Sequence, residues 1–206
     1  MPVHAATSLP RRVVLAAIAG EVVSWWRPRS ARAGTPDRYS AGVSVSTLTL
    51  GDVPPVPVVS MNGQALRLDR ALDADVPLLL NFVFTTCSST CSMQTAVLSD
   101  LQRACIAQGR PVQLVSVTID PDNDTPEQLQ RFSKPFQIRP GWQFFTGRFD
   151  DLLRVQRHFD VYRGSKVAHP PVVLLRKNAR SAWMRVEGVA SAADLMLALH
   201  TLPAGA

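Results

Sequence analysis

The chain is short of cysteine, of tyrosine and of any long apolar run. It has 3 cysteines and 2 tyrosines among 206 residues. Three cysteines are too few to staple a small disulfide scaffold, so the chain must build a hydrophobic core of its own. The apolar stretch from Val13 to Val23 is interrupted by Glu21 and falls short of the about 20 apolar residues that a bilayer core demands. Charge of one sign is also scarce beyond the N-terminal segment. The whole chain carries 22 Lys and Arg against 16 Asp and Glu, a formal net charge of +6. Arg11, Arg12, Arg27, Arg29, Arg32 and Glu21 all lie in the first 33 residues, and the remainder has 17 bases against 15 acids. That balance gives no case for nucleic-acid binding. No internal repeat is visible.

Residues 1–33 read as an export leader. Arg11-Arg12 supply a positive n-region, the short apolar stretch follows, and Ser30-Ala31-Arg32-Ala33 offers a small-residue cleavage site before Gly34. Paired arginines ahead of Val13-Val14-Leu15 match a twin-arginine signal in part. The competing expectation is an uncleaved anchor steadied by Trp25-Trp26. Export implies a periplasmic protein, soluble or tethered to the inner membrane, with membrane contact only through that N-terminal segment. Residues 34–50 read as a linker with a short strand inside Ser44–Leu50, and residues 51–206 as one domain.

Within that domain Asn62-Gly63 predicts a hairpin with a type I′ turn between Val58-Val59-Ser60 and Leu66-Arg67-Leu68. A buried strand is expected from Leu78 to Phe84 and a second from Val112 to Ile119. Between them Met93, Val97, Leu101 and Cys105 recur every fourth position and predict a helix with those residues on its buried stripe. Thr125-Pro126 with Gln128 predicts a second helix start, carrying Leu129 and Phe132 on its buried face and stopped by Pro135. Gly141 to Gly147 reads as a strand, Asp150 as the cap of a helix, Val172–Leu175 with Ala182–Val186 as a hairpin, and Ser191 with Asp194 as the start of a last helix. Strand and helix alternation of this kind implies an α/β fold: a central mixed sheet flanked by helices, with an N-terminal hairpin.

Chemistry concentrates in Phe82-Val83-Phe84-Thr85-Thr86-Cys87-Ser88-Ser89-Thr90-Cys91, where a buried strand runs through a short polar loop into a helix. Two thiols with three residues between them at such a turn can close a disulfide or hold a soft metal. Cys91, nearer the helix N-terminus, is expected to be favoured as thiolate by the helix dipole. Cys105 reads as a buried thiol, Met93 as core, His158 as structural, and Asp124 as a helix cap.

These residues, with Val117-Thr118-Ile119-Asp120-Pro121, Asp124-Thr125-Pro126, Trp142 to Gly147 and a late His169, resemble the Sco/SenC family over roughly residues 50–200. The resemblance implies a thioredoxin-like fold. It also implies a copper-binding assembly factor that delivers copper to the copper centre of cytochrome c oxidase, or reduces its cysteines. Cys87, Cys91 and His169 would be the copper ligands and Asp120 a nearby residue that tunes the site. The implied partner is the oxidase subunit holding that centre, or another copper chaperone. Two thiolates and an imidazole suit Cu(I) and in principle Cu(II), whereas zinc wants a fourth ligand.

Ser92 and His169-Pro170-Pro171 depart from the family pattern, which has proline after the second cysteine and serine or threonine after the histidine. Pro170 or Pro171 is expected to stand as the cis-proline that faces the cysteines of ordinary thioredoxins. That expectation supports the alternative, an exported thiol-disulfide oxidoreductase whose redox dithiol is Cys87 and Cys91. A peroxidase fits less well, because its usual setting is a single reactive cysteine.

Overall fold

The segment Leu78–Val83 is apolar on both faces apart from Asn81, the pattern of a strand covered on both sides, and all six residues are buried. The computed structural model describes residue 1, residues 39–87 and residues 89–202. The expected leader, apart from Met1, lies outside the described residues.

Eight strands form one mixed sheet: β1 Ser44–Leu48, β2 Pro57–Ser60, β3 Ala65–Arg67, β4 Leu78–Val83, β5 Gln113–Thr118, β6 Trp142–Gly147, β7 Val172–Arg176 and β8 Trp183–Glu187, in the order β1-β8-β7-β4-β5-β6-β2-β3. The helices are α1 Leu68–Ala71, α2 Thr90–Ala107, α3 Pro126–Ser133, α4 Phe149–His158 and α5 Ala192–His200. β4, β5 and β6 are parallel, and the remaining pairings are antiparallel. This is the α/β sandwich that the alternation of elements implies.

Side chains alternate across β4 into two cores. Leu78, Leu80 and Phe82 face the core that holds α1 and α4 through Leu68, Leu152, Val155 and Phe159. Leu79 and Val83 face the core that holds α2, α3 and α5 through Leu98, Leu101, Leu129 and Leu195. Asn81 is tolerated because it is paired: Ser116 Oγ donates to its Oδ1 at 2.6 Å, and Trp142 Nε1 donates to Ser116 Oγ at 2.9 Å.

Several local expectations are corrected. Ser44–Leu48 pairs with β8 along its whole length, so the short strand expected within Ser44–Leu50 is present, as an edge strand of the sheet rather than as part of a linker. Its close approach depends on Gly188, whose φ is +108° and whose Cβ, were there one, would lie 2.3 Å from the Gly42 carbonyl oxygen. The turn at Asn62-Gly63 is not type I′, because only Gly63 has positive φ. Gly63 N donates to Ser60 O, and Ser60 N donates to Gln64 O across the longer loop. The buried side of α2 comprises Cys91, Thr95, Leu98, Leu101, Gln102 and Cys105, whereas Met93 is 44% exposed. The N-cap of α4 is Arg148, which makes no side-chain cap, and Asp150 lies within the first turn. All described peptide bonds are trans, so neither Pro170 nor Pro171 takes the cis-proline part.

α5 carries a complete capping box between Ser191 and Asp194, and Asp194 also accepts from Ser40 N and Oγ at 2.8 and 2.7 Å. Burial alone would push the Asp194 carboxyl up. The hydrogen bonds from Ser191 and Ser40 outweigh it and bring the carboxyl down to about 2. The folded value is below the unfolded one, so this carboxylate stabilises the domain above about pH 4 and the contribution fades as pH falls toward 2. At about 1.4 kcal/mol per unit it amounts to about 2 kcal/mol. Urea unfolding of wild type and Asp194→Asn across pH 2–7 should show a stability gap at neutral pH that narrows below pH 4; a gap independent of pH would refute the assignment.

Candidate functional site

β4 ends at Val83 beside β5, and the chain turns at Thr85-Thr86 into the cysteine loop. A buried carboxylate sets that turn. Asp124, wholly buried, accepts from Thr85 N at 3.2 Å, from Thr85 Oγ1 at 2.5 Å and from Thr118 Oγ1 at 2.5 Å. Burial pushes its carboxyl up, and the hydrogen bonds from Thr118 and Thr85 oppose that. Asp124 is therefore a tie between the exit of β4 and the end of β5; the helix cap of α3 is Thr125, which accepts from Gln128 N.

The two cysteines are chemically unequal. Cys91 N, in the first turn of α2, donates to Cys87 Sγ at 3.3 Å. Burial works against a Cys87 thiolate, but hydrogen bonds from Cys91 and Ser89 favour it, and the net effect lies below the ordinary thiol value. Cys91 is 5% exposed, and burial raises its thiol to about 12 against a favourable hydrogen bond from the Phe84 backbone. The expectation that Cys91 would be the activated thiol is thus reversed: the helix N-terminus serves Cys87. Both cysteines are free thiols here, as is the buried Cys105 in the opposite core.

Cys87, Cys91 and His169 line one cavity of about 260 Å³, together with Phe82, Phe84, Gln94, Lys166 and Pro171. His169 comes to it because β7 is antiparallel to β4, so the chain entering β7 meets the chain leaving β4. Its ring lies edge-on to Phe82, with centroids 6.1 Å apart. Nδ1 faces the Val161 carbonyl at 3.4 Å, and Nε2 is buried with no hydrogen-bond partner. Burial pushes the imidazole below its ordinary value, which favours the neutral, metal-ligating form. Among the described residues no group of three His, Cys, Asp or Glu side chains stands close enough to hold a metal ion. The three donors share a cavity without closing on a common point.

Asp120 reaches this cavity indirectly. Its carboxylate pairs with Lys166 Nζ at 2.5 Å and accepts from Asn123 Nδ2. Lys166 also lies 5.8 Å from the Phe84 ring centroid. Every other ion pair among the described residues joins positions two or three apart in sequence. Lys166–Asp120 is thus the one that ties the exposed loop before His169 to the body. No sequence signal marked Lys166, because the contact spans 46 residues.

The loop starts from a helix end of unusual composition. Asp160 N donates to Arg157 O and Val161 N to Gln156 O, the two bonds of a Schellman ending. Asp160 has φ +50° where glycine is the usual choice, a conformation that costs about 1 kcal/mol or more in a residue with a Cβ. Arg185 of β8, 6% exposed, donates from Nη1 to the Phe159 and Asp160 carbonyls at 3.1 and 3.3 Å. His158 is half-buried against Phe159 and lies away from the cavity-lining residues.

The fold and the cavity define a thioredoxin-like protein with a dithiol and a histidine at the end of its central strands. The SCO1/SenC family profile matches residues 59–185, and the chain belongs to that family. The SCO1 protein homolog of Bacillus subtilis (strain 168) is 33% identical over 97 residues, 47% of this chain, and the match spans about half (49%) of that relative's length. The solved structure of BsSco, described as a member of the Sco family of cytochrome c oxidase assembly proteins with a disulfide switch, superposes with TM-score 0.62 at 24% identity, covering 74% of this chain and 92% of that one. Arabidopsis thaliana ScoI, solved with copper bound, superposes with TM-score 0.60 at 19% identity, covering 71% and 96%. At these identities the superpositions establish the fold.

The inequality of the thiols has a direct readout. In the reduced chain, Cys91→Ser should leave Cys87 alkylating with a midpoint below the about 8.5 of a free thiol. Cys87→Ser should leave Cys91 alkylating roughly 30- to 100-fold more slowly at pH 7, since only part of the lost thiolate is offset by its greater nucleophilicity. Equal rates in the two variants would overturn the assignment.

Proposed function

We propose that this chain binds copper through Cys87, Cys91 and His169 and serves in assembling the copper centre of cytochrome c oxidase. The observation that carries the reading is the meeting of these three soft donors in one cavity, with His169 Nε2 buried and unpartnered. A buried nitrogen without a partner costs free energy unless a ligand takes it. The donor set fits copper: two sulfurs and one imidazole are soft, and neither Asp120 nor Asp124 offers a free carboxylate for a hard ion. When bound, copper would be cargo passed to a partner by ligand exchange. The copper-bound Arabidopsis relative and the oxidase-assembly description of BsSco support the same reading.

In this reading Cys87, with the lowered thiol, is the donor that is available first. Cys91 needs displacement of its proton by the incoming metal, so the affinity rises with pH. Lys166, paired with Asp120, holds the loop that brings His169 to the cavity mouth. The leader in residues 1–33 supports a periplasmic site of action, soluble or tethered. Among the described residues no helix is long and apolar enough to cross a membrane.

A second reading is favoured by the unequal thiols. Cys87 thiolate attacks a partner disulfide, forming a mixed disulfide and releasing one partner thiolate. Cys91, once deprotonated, attacks the Cys87 sulfur, closing the Cys87–Cys91 disulfide and releasing the second partner thiol. The dithiol is oxidised by two electrons and the partner disulfide is reduced by the same two. Such a step would prepare the cysteines of a copper centre to take metal, so the two readings are compatible.

Anaerobic copper titration of the reduced chain, beside His169→Ala, tests the first reading. One equivalent should bind, with sulfur-to-copper charge-transfer absorption on oxidation, and the variant should bind at least about tenfold more weakly with its fold intact. Binding unaffected by loss of His169 would remove the three-ligand assignment and leave disulfide exchange as the function of the dithiol.

A further inference from the structure

We propose that Arg185 is a positioning residue for His169: through the ending of α4 it fixes the imidazole as the Nδ1–H tautomer and leaves Nε2 as the donor nitrogen. The inference deepens the copper reading and rests on it for its functional meaning.

A carbonyl oxygen accepts and cannot donate, so the contact of His169 Nδ1 with Val161 O requires the proton on Nδ1. Nε2 then carries the lone pair, and it is the ring nitrogen that is buried without a partner. What fixes the tautomer is therefore whatever aims the Val161 carbonyl at the ring. Val161 follows Asp160, whose left-handed conformation turns the chain out of α4. The Schellman bonds use the carbonyls of Gln156 and Arg157 and the N–H groups of Asp160 and Val161. They leave the Phe159 and Asp160 carbonyls to be satisfied by something else, and Arg185 Nη1 donates to both.

Arg185 is itself held on its own strand. Its Nε donates to Glu187 at 2.8 Å along the same strand. Its neighbour two positions back, Trp183, packs edge-on against Phe159 with centroids 5.2 Å apart. The guanidinium is thus anchored through Nε and presents Nη1 to the end of α4, while Nη2 is buried without a partner. A single guanidinium nitrogen serves both carbonyls while Nε is tied to Glu187, a second anchor that a lysine ammonium lacks. The route from sheet to ligand is Arg185, the Phe159 and Asp160 carbonyls, the Val161 carbonyl and His169 Nδ1. Hydrogen bonding of the nitrogen opposite the metal is the general means by which proteins orient an imidazole ligand.

The test is made first on the reduced, metal-free chain, so that it does not depend on copper. Long-range ¹H–¹⁵N NMR, with the His169 signals identified by their loss in His169→Ala, reports the tautomer. Wild type should show the Nδ1–H form alone. Arg185→Met should show both tautomers and Arg185→Lys an intermediate ratio, each read on the folded population recognised by the dispersed amide signals of β7. Copper affinity should then fall about 10- to 100-fold in Arg185→Met, partly recover in Arg185→Lys, and show no further loss when Arg185→Met is added to His169→Ala. A wild-type His169 carrying its proton on Nε2 would overturn the proposal even if no variant folds. An unchanged tautomer in folded Arg185→Met would overturn it as well. Failure of wild type to bind copper, with the tautomer results as expected, would instead count against the copper reading and leave the positioning role standing.

Discussion

The Asp124 carboxylate, closed off from water between the end of β5 and the exit of β4, is the constraint on which the site depends. It accepts from Thr85 on one side and Thr118 on the other, and its own backbone N–H closes the turn on the Asp120 carbonyl. Hydrogen bonds to a charged acceptor are worth about 1.5–3 kcal/mol each, and here they recover part of the cost of burying the carboxylate. Thr85 is two residues from Cys87, so the loop can place its first thiol over the N-terminus of α2 only while that tie holds. The turn that carries Asp120 is tied to the same carboxylate through Thr118 Oγ1, which accepts from Asp120 N and donates to Asp124. Asp120 in turn holds Lys166, and Lys166 holds the loop of His169. Both halves of the site thus refer back to one buried side chain.

The strands and the cysteine loop were legible in the sequence because their signals are local. An apolar run with β-branched and aromatic residues, ending in polar residues and two thiols, reads as strand, loop and helix start without tertiary information. The stripe on α2 was misread for a geometric reason. Every fourth residue advances 400°, so Met93, Val97, Leu101 and Cys105 drift around the helix by 40° a step. The true buried face mixes spacings of three and four, from Cys91 through Thr95 and Leu98 to Leu101 and Cys105. The Asn62-Gly63 dipeptide fits more than one turn, and the longer loop used here needs positive φ only at the glycine.

What the sequence could not show are the contacts that depend on strand order. His169 entered through family resemblance; its approach to the cysteines comes from β7 lying antiparallel against β4. Asp124 reads as a helix cap because Thr125-Pro126 follows it, and only the parallel pairing of β4 with β5 reveals the tie that the carboxylate makes instead. The activated cysteine was assigned to the wrong partner for a related reason. A thiol inside the first helical turn can point into the core, and Cys91 does, while the free N–H groups of that turn reach the thiol before it. Burial and hydrogen bonding act on the two sulfurs in opposite directions, which gives one fold a nucleophile and a protected thiol four residues apart.

The two margins of the sheet differ from its middle. β3 is three residues long and ends in Arg67, which is bound to Asp69, while β1 alternates serine and threonine with valine and leucine and keeps much of its length exposed. Short or polar outer strands are poor templates for another chain to zip onto. Under the proposed function a partner must reach Cys87, and capture through the backbone instead would occlude the cavity or seed aggregates. Margins of this kind discourage backbone pairing between chains and leave the surface around Cys87 as the place where contact is made through side chains.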